Sequence, residues 1–251
     1  MRWDIAILSE PGERENNEDC VAVTSGDAGI CTVLCDGLGG HDAGEVASKC
    51  VCDSVTAAFE KAPEGADIGE LVCELLQNAQ DELMKMQIEL DKQNGMKTTA
   101  CCLLIQDGKT AAAYVGDSRI YQFRKNKVLL RSSDHSIPQY LVNIGEIKER
   151  DIRHHPDRNK LLRVMGSEWE TPRYLHLKLE EPVCGDAFLL CTDGFWEWIE
   201  EKDMERFLKR ASCSEEWLNT MKKFIYARGR GNRMDNLSAI AIMRVEGDDG
   251  G

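Results

Sequence analysis

The order in which apolar patterns follow one another constrains this chain most. Residues 3–9 and 20–25 have strand character and flank a polar segment, Ser9 to Asp19. Ile30 to Cys35 is a nearly continuous apolar run, as expected of a strand covered on both faces. From Asp42 to about Lys61, Val46, Cys50, Val51, Val55, Ala58 and Phe59 recur at helical spacing. After the polar break Pro63 to Asp67, Ile68, Leu71, Val72, Leu75, Leu76, Ala79, Leu83, Met86 and Leu90 form the stripe of a second helix. Asn94-Gly95 supplies its stop.

Strands then return. Thr98–Gln106 and Thr110–Val115 are joined by Asp107-Gly108, a strong two-residue hairpin signal. Ile120–Arg124 and Val128–Arg131 form a second hairpin across Lys125-Asn126-Lys127. Residues 136–165 are polar, with short helical pieces. Tyr174–Leu179, Ala187–Thr192 and Ser238–Val245 are further strands, and Glu201–Arg210 and Ser214–Arg228 are helices, the second opening on a cap-like Ser-Glu-Glu. The strict β-α alternation of a doubly wound parallel sheet is absent. The pattern predicts a mixed sandwich with helices outside. No linker, repeat or low-complexity stretch divides residues 1–251, so one domain is expected, with a disordered tail at Gly247–Gly251.

The formal net charge of −13 argues against nucleic acid or an anionic membrane as the main partner. No apolar stretch approaches the roughly 20 residues of a membrane span, and Met1-Arg2-Trp3-Asp4 lacks the apolar core of a signal peptide, so a cytoplasmic protein is expected. Of the 11 cysteines, Cys31, Cys35, Cys101, Cys102 and Cys191 lie inside apolar runs. There is no C-x-x-C pair and no zinc spacing, so these are expected to be reduced core thiols.

Four acids sit in polar turns at the ends of strand-like runs: Asp19, Asp36, Asp193 and Asp235. If those runs share a sandwich, the four carboxylates meet at one rim. Two carboxylates at ~4 Å repel by about 4 kcal/mol at an effective dielectric of roughly 20. A cation must hold them, and oxygen ligands without His or Cys point to Mg²⁺ or Mn²⁺. Arg14, five residues before Asp19, suits a bidentate grip on phosphate, although an Arg beside an Asp is also an ordinary surface pair. Asp36-Gly37-Leu38-Gly39-Gly40 follows a buried strand and precedes a helix, so its backbone could approach a ligand closely, or it is a plain turn.

In order, Arg14-x-x-Asn17-Glu18-Asp19, Asp36-Gly37-x-Gly39-Gly40, Gly95-Met96-Lys97-Thr98-Thr99, Val115-Gly116-Asp117-Ser118-Arg119, Asp134-His135-Ser136, Thr192-Asp193-Gly194 and Asp235-Asn236 make a specific set. In these motifs, from Arg14 to about Ile242, the chain resembles the bacterial PPM (type 2C) metal-dependent Ser/Thr protein phosphatases. The resemblance implies an α+β fold, a four-layer αββα sandwich of two mainly antiparallel sheets flanked by helices. It also implies two Mn²⁺ or Mg²⁺ ions, with Asp36 bridging them and Gly37 ligating through its carbonyl. Asp193 and Asp235 would complete one shell, and Asp19, beside Glu18, would hold the second ion. Asn236 would support this set. Arg14 would bind the substrate phosphate, Asp117 would serve a third, weaker metal, and about 137–165 would form a flap beside the site. Partners would be Ser/Thr-phosphorylated proteins and a Hanks-type kinase, with a monomer expected.

Some members carry His where this chain has Leu38, so the leaving-group proton needs another source. His41 lies nearby in sequence, and His135 is expected to be structural. Two other readings are a non-catalytic phosphoprotein-binding scaffold and a hydrolase of small phosphate esters. The intact acids speak against the first, and kinetics on peptide and metabolite substrates would separate the second.

Overall fold

The structure is a computed structural model describing residues 2–39, 43–92 and 95–246. Gly40, His41, Asn94 and the expected disordered tail lie outside the described residues. Two antiparallel sheets face each other. One carries β1 (Arg2–Glu10), β7 (Arg119–Arg124), β8 (Lys127–Arg131), β10 (Ala187–Cys191) and β11 (Leu237–Val245) in the order β1-β11-β10-β7-β8. The other carries β2 (Asp19–Gly26), β3 (Gly29–Leu38), β5 (Ala100–Gln106), β6 (Lys109–Val115) and β9 (Leu175–Leu177) in the order β2-β3-β5-β6-β9. The short β4 (Lys97–Thr98) pairs with the end of β3. Helices α1 (Ala43–Phe59) and α2 (Ile68–Glu89) cover the second sheet. Helices α5 (Glu201–Leu208) and α6 (Ser214–Gly229) cover the first. This is the expected αββα sandwich.

Strand periodicity sorts the core into three layers. Cys31, Val33 and Cys35 of β3 and Ala100, Cys102 and Leu104 of β5 face α1 and α2. The alternating residues, Leu34 with Cys101, Leu103 and Ile105, meet Phe188, Leu190, Ile240 and Ile242 between the sheets. Small Cys and Ala side chains let the helices lie close to the sheet. The five cysteines expected in the core are buried, and all eleven are free thiols.

Several local expectations change. Asp36 is not in a turn; β3 runs through it to Leu38. The strand expected over Thr98–Gln106 breaks at Thr99, whose amide bonds to Asp36 O at 2.8 Å. The second hairpin turns on Lys125 and Asn126 alone, both at positive φ (52° and 60°), and Lys127 already belongs to β8. The buried stripe of α2 continues to Gln87 rather than Leu90, which is 49% exposed. Gln87 Nε2 donates to Met96 O and Gly166 O at 2.6 and 2.8 Å, so two loops take up both protons of the buried amide nitrogen, while its Oε1 has no hydrogen-bond partner. At α6 the Ser214 hydroxyl does not cap its own helix. It donates to Asp4 O, and the Asp4 carboxylate accepts the Ser214 amide at 2.6 Å. The cap comes from β1, a partner 210 residues away.

His135 is structural. Its ring stacks on Tyr114 at 5.0 Å, and its Nδ1 accepts the Gly116 amide at 3.1 Å. Burial pushes its pKa down to about 4, with nearby Arg163 adding to the shift and Asp134 opposing it. The native state therefore keeps this imidazole neutral, while the unfolded chain takes up a proton near the ordinary value of about 6.5. Its contribution is intact above pH 6.5 and is lost as pH falls toward 4. The full loss is roughly 3–4 kcal/mol, at about 1.4 kcal/mol per pKa unit, of which about 2 kcal/mol is reached by pH 5. Urea unfolding of the native chain and His135→Gln at pH 7 and pH 5 checks this. The variant should show the smaller drop, and equal drops would refute the assignment.

Candidate active site

The inter-sheet layer opens at one rim, and strand periodicity decides what lines it. Leu34 faces the inter-sheet core, so Asp36, two residues on, faces the same gap at the rim. Asp19 is the direct partner of Asp36 in the β2–β3 ladder. Two carboxylates opposite one another are destabilising in an ordinary sheet. From the facing sheet, Thr192 follows Leu190 and Ser238 precedes Ile240 with the same parity. Thr192 Oγ1 donates to Asp19 Oδ2 at 3.0 Å, and Ser238 N donates to Thr192 Oγ1 at 3.1 Å.

Asp193 is the first residue of the single-turn α4 (Asp193–Trp196), which replaces the expected turn. Gly194 permits that position: a Cβ there would lie 2.1 Å from Asn236 O. Asp235 lies in the loop before β11. Asn236 ties this loop to the N-terminal segment. Its Oδ1 accepts the Glu18 amide at 2.8 Å, and its Nδ2 donates to Pro11 O and Asn16 O at 3.1 and 2.8 Å. Asn236 thereby holds the loop that carries Arg14.

A cavity of about 540 Å³ results, lined by Arg14, Glu15, Asn16, Glu18, Asp36, Gly37, Leu38, Gly39, Asp117, Asn159, Leu161, Asp193, Asp235 and Asn236. Asp19 sits behind it against Thr192. Every residue assigned from sequence is therefore in or beside one pocket. Asn159 and Leu161 come from segment 137–165 and belong to no motif, so no sequence signal singles them out. Trp196 and Glu197 beside Asp193 were also missed, since an aromatic and an acid on a short helix look like ordinary surface and core residues.

The glycines after Asp36 serve backbone packing. A Cβ on Gly37 would lie 2.3 Å from Gly44 O and 2.6 Å from Glu18 O. A Cβ on Gly39 would lie 2.3 Å from Gly95 O. Arg14 does not point freely into the pocket. Its Nη2 donates to Asp235 Oδ2 at 2.7 Å, with the Arg14 side chain 54% exposed.

The electrostatics are unfavourable for four bare carboxylates. Burial and then the charges of Asp19, Asp193, Asp117 and Asp235 push Asp36 well above the usual carboxylate range. Burial, Asp117, Glu197, Asp235 and Asp19 do the same to Asp193. Asp19 is raised to about 7, chiefly by burial, against hydrogen bonds from Ser238 and Thr192. Asp117 is raised to about 7 by burial and Asp134. Asp19 Oδ1 is buried with no hydrogen-bond partner.

A hard divalent cation fits this donor set: carboxylate oxygens, one orphaned buried oxygen, and mutual repulsion that a cation would relieve. Among the described residues, no three His, Cys, Asp or Glu side chains converge to hold an ion alone. One or two carboxylates with water filling the shell is the ordinary pattern for Mg²⁺.

Two antiparallel sheets between helix pairs, with an all-oxygen acidic rim, define a class, and comparison with known proteins bears it out. The family model described as protein phosphatase 2C matches residues 12–224. The chain belongs to that family. It is 30% identical over 237 residues to the serine/threonine phosphatase stp of Listeria welshimeri, covering 92% of this chain and 91% of that protein. It is 28% identical over 238 residues to the serine/threonine protein phosphatase PstP of Mycobacterium tuberculosis, covering 94% of this chain but only 44% of PstP. The chain thus spans less than half of that relative's length. The crystal structure of the catalytic domain of PstP in complex with two manganese ions superposes with a TM-score of 0.81 at 26% identity, covering 97% of this chain and 99% of that one.

Proposed function

We propose that this chain is a divalent-metal-dependent protein phosphatase that hydrolyses phosphoserine and phosphothreonine in proteins. The observation that carries the reading is the gathering of Asp36, Asp193 and Asp235 around one rim pocket, with Asp19 behind it against Thr192 and Arg14 at its edge. Asp36 would bridge two ions with the Gly37 carbonyl beside it. Asp193 and Asp235 would hold one ion, and Asp19, with Glu18 alongside, the other. Asp117 would serve a third, weaker site. Mn²⁺ and Mg²⁺ both suit these oxygens, and the manganese complex of PstP favours Mn²⁺ as the first ion to test.

When bound, the ions supply Lewis acidity that activates water and offsets charge on the phosphoryl oxygens. The protein supplies position. Asp36 is held from behind by its backbone: its N–H donates to Thr99 Oγ1 at 3.0 Å, and its carbonyl accepts from Thr98 Oγ1 at 2.8 Å. Arg14 exchanges Asp235 for the substrate phosphoryl group, where its fork can make two charge-assisted hydrogen bonds. Leu38 offers no proton, and no described pocket residue is a His, Lys or Cys. The leaving oxygen takes its proton from water entering the pocket.

Segment 137–165 acts as a flap, placing Asn159 and Leu161 over the pocket within a single phosphatase domain. Phosphorylated proteins, and a Hanks-type kinase whose products they are, are the partners this chemistry would serve. No helix among the described residues is long and apolar enough to cross a membrane. A cytoplasmic monomer remains the working assignment.

The test is turnover of a phosphothreonine peptide with Mn²⁺, with chelator, and with Asp193→Ala. Hydrolysis should require Mn²⁺ and fall by at least about a thousandfold in the variant, the scale of losing a key group at a metal or oxyanion site. Activity that survives chelator, or that is confined to small phosphate esters, would overturn the reading.

A further inference from the structure

Segment 137–165 grips the body of the protein at a point that the site chemistry above does not use. Arg153 lies in the 3-10 helix Glu149–His154. Its guanidinium donates to the carbonyl of Trp196 and to Glu201 Oε1, the latter at 2.7 Å. Trp196 is the last residue of α4, the single turn that begins at Asp193. Trp196 as a whole is 1% exposed. The indole N–H donates to Asp117 O at 3.0 Å. The same ring carries the Arg119 guanidinium at 3.5 Å from its centroid, with that of Arg153 at 5.5 Å. Arg119 follows Asp117 by two residues and is locked to Asp134 by bonds of 2.8 and 2.7 Å.

A four-residue helix has almost no stability of its own, so its orientation comes from what holds its ends. Arg153 holds the C-terminal end of α4, and Asp193 is the other end. Trp196 extends the same hold to Asp117. The planar fork of Arg153 reaches the Trp196 carbonyl and the Glu201 carboxylate together, which a lysine point charge cannot reproduce.

We propose that Arg153 is a positioning residue that couples the placement of segment 137–165 to the acids Asp193 and Asp117 through Trp196. The proposal rests on the metal-dependent phosphatase reading. Coupling of this kind is reciprocal. Filling the acidic site must then tighten the segment, and freeing the segment must weaken the site.

Amide hydrogen exchange of the full chain, with and without Mn²⁺, tests this apart from activity. In the native chain Mn²⁺ should slow exchange across residues 149–158 at least about fivefold, the low end of ordinary coupling factors. In Arg153→Ala that effect should vanish while β10 and β11 keep native protection. The Mn²⁺ concentration for half-maximal peptide turnover should rise about tenfold, with turnover at saturating Mn²⁺ changed much less. Arg153→Lys should recover only part of the loss. Trp196→Phe, which keeps a ring but deletes the indole N–H, should shift the Mn²⁺ midpoint in the same direction.

Native Mn²⁺-dependent protection in Arg153→Ala, or an unchanged midpoint, would overturn the proposal. So would loss of protection throughout β10 and β11, which would make Arg153 a general structural anchor. If the native chain shows the exchange effect but no phosphopeptide turnover, the phosphatase reading fails and the coupling stands.

Discussion

Asp36→Asn is expected to lose at least about a thousandfold in phosphopeptide turnover while making the metal-free chain more stable. The two effects share one cause. Asp36 faces Asp19 across a ladder and shares its pocket with Asp117, Asp193 and Asp235. Its raised pKa means that folding favours the protonated form. The sign follows: stability is greatest below the ordinary carboxylate value and is lost as pH rises through the folded value. At neutral pH the metal-free protein therefore carries strain that an uncharged, isosteric amide removes. The backbone bonds of Asp36 to Thr98 and Thr99 do not involve the side chain, so the substitution leaves the strand intact. A gain of about 1–3 kcal/mol is expected, roughly 2–10 °C in melting temperature for a chain of this size. Saturating Mn²⁺ should stabilise the native chain by mass action and reverse the order. Melting curves with chelator and with Mn²⁺ check both halves. A variant less stable than the native chain in chelator would refute the charge argument.

Asp134→Ala is expected to cost about 3–5 kcal/mol, because it strands a buried guanidinium. The Arg119 and Asp134 side chains are each 1% exposed and joined by two hydrogen bonds. The remaining polar contacts of Arg119, Tyr121 Oη at 3.3 Å and Glu201 at 3.8 Å, are too long to replace a bidentate carboxylate, and the Trp196 ring beneath it offers no acceptor oxygen. Small globular domains have a total stability of about 5–15 kcal/mol, so the loss is a large share. Urea unfolding measures it. Asp134→Asn, which keeps one acceptor, should cost less and gives a measurable point if the alanine variant does not fold. A cost below about 1 kcal/mol for Asp134→Ala would show that Arg119 finds another partner or water.

What was legible in the sequence depended on how local the signal was. The sandwich followed from runs such as Ile30–Cys35, and the helices α1 and α2 from their apolar stripes. Asp107-Gly108 named its own turn because only certain residues tolerate φ values of 49° and 78° in succession. The pocket acids were legible as a set because each sits beside an apolar run. Misreadings fell where a distant partner overrides a local pattern. Ser214 looks like a cap, yet the cap is Asp4. Leu90 continues the α2 stripe in sequence, yet Gln87 is buried because the loops at Met96 and Gly166 come to meet it.

By itself the sequence determined the sandwich, the metal-suited acids and the identity of the candidate phosphate grip, since period, residue type and order are written in the chain. Only the tertiary structure decided that Asp19 and Asp36 are ladder partners, that Arg14 rests on Asp235, and that Asn159 and Leu161 line the pocket. It alone placed Arg153 against Trp196. These contacts join residues from 17 to more than 200 positions apart. No local propensity encodes such distances; they exist only once two sheets have packed and brought their rims together.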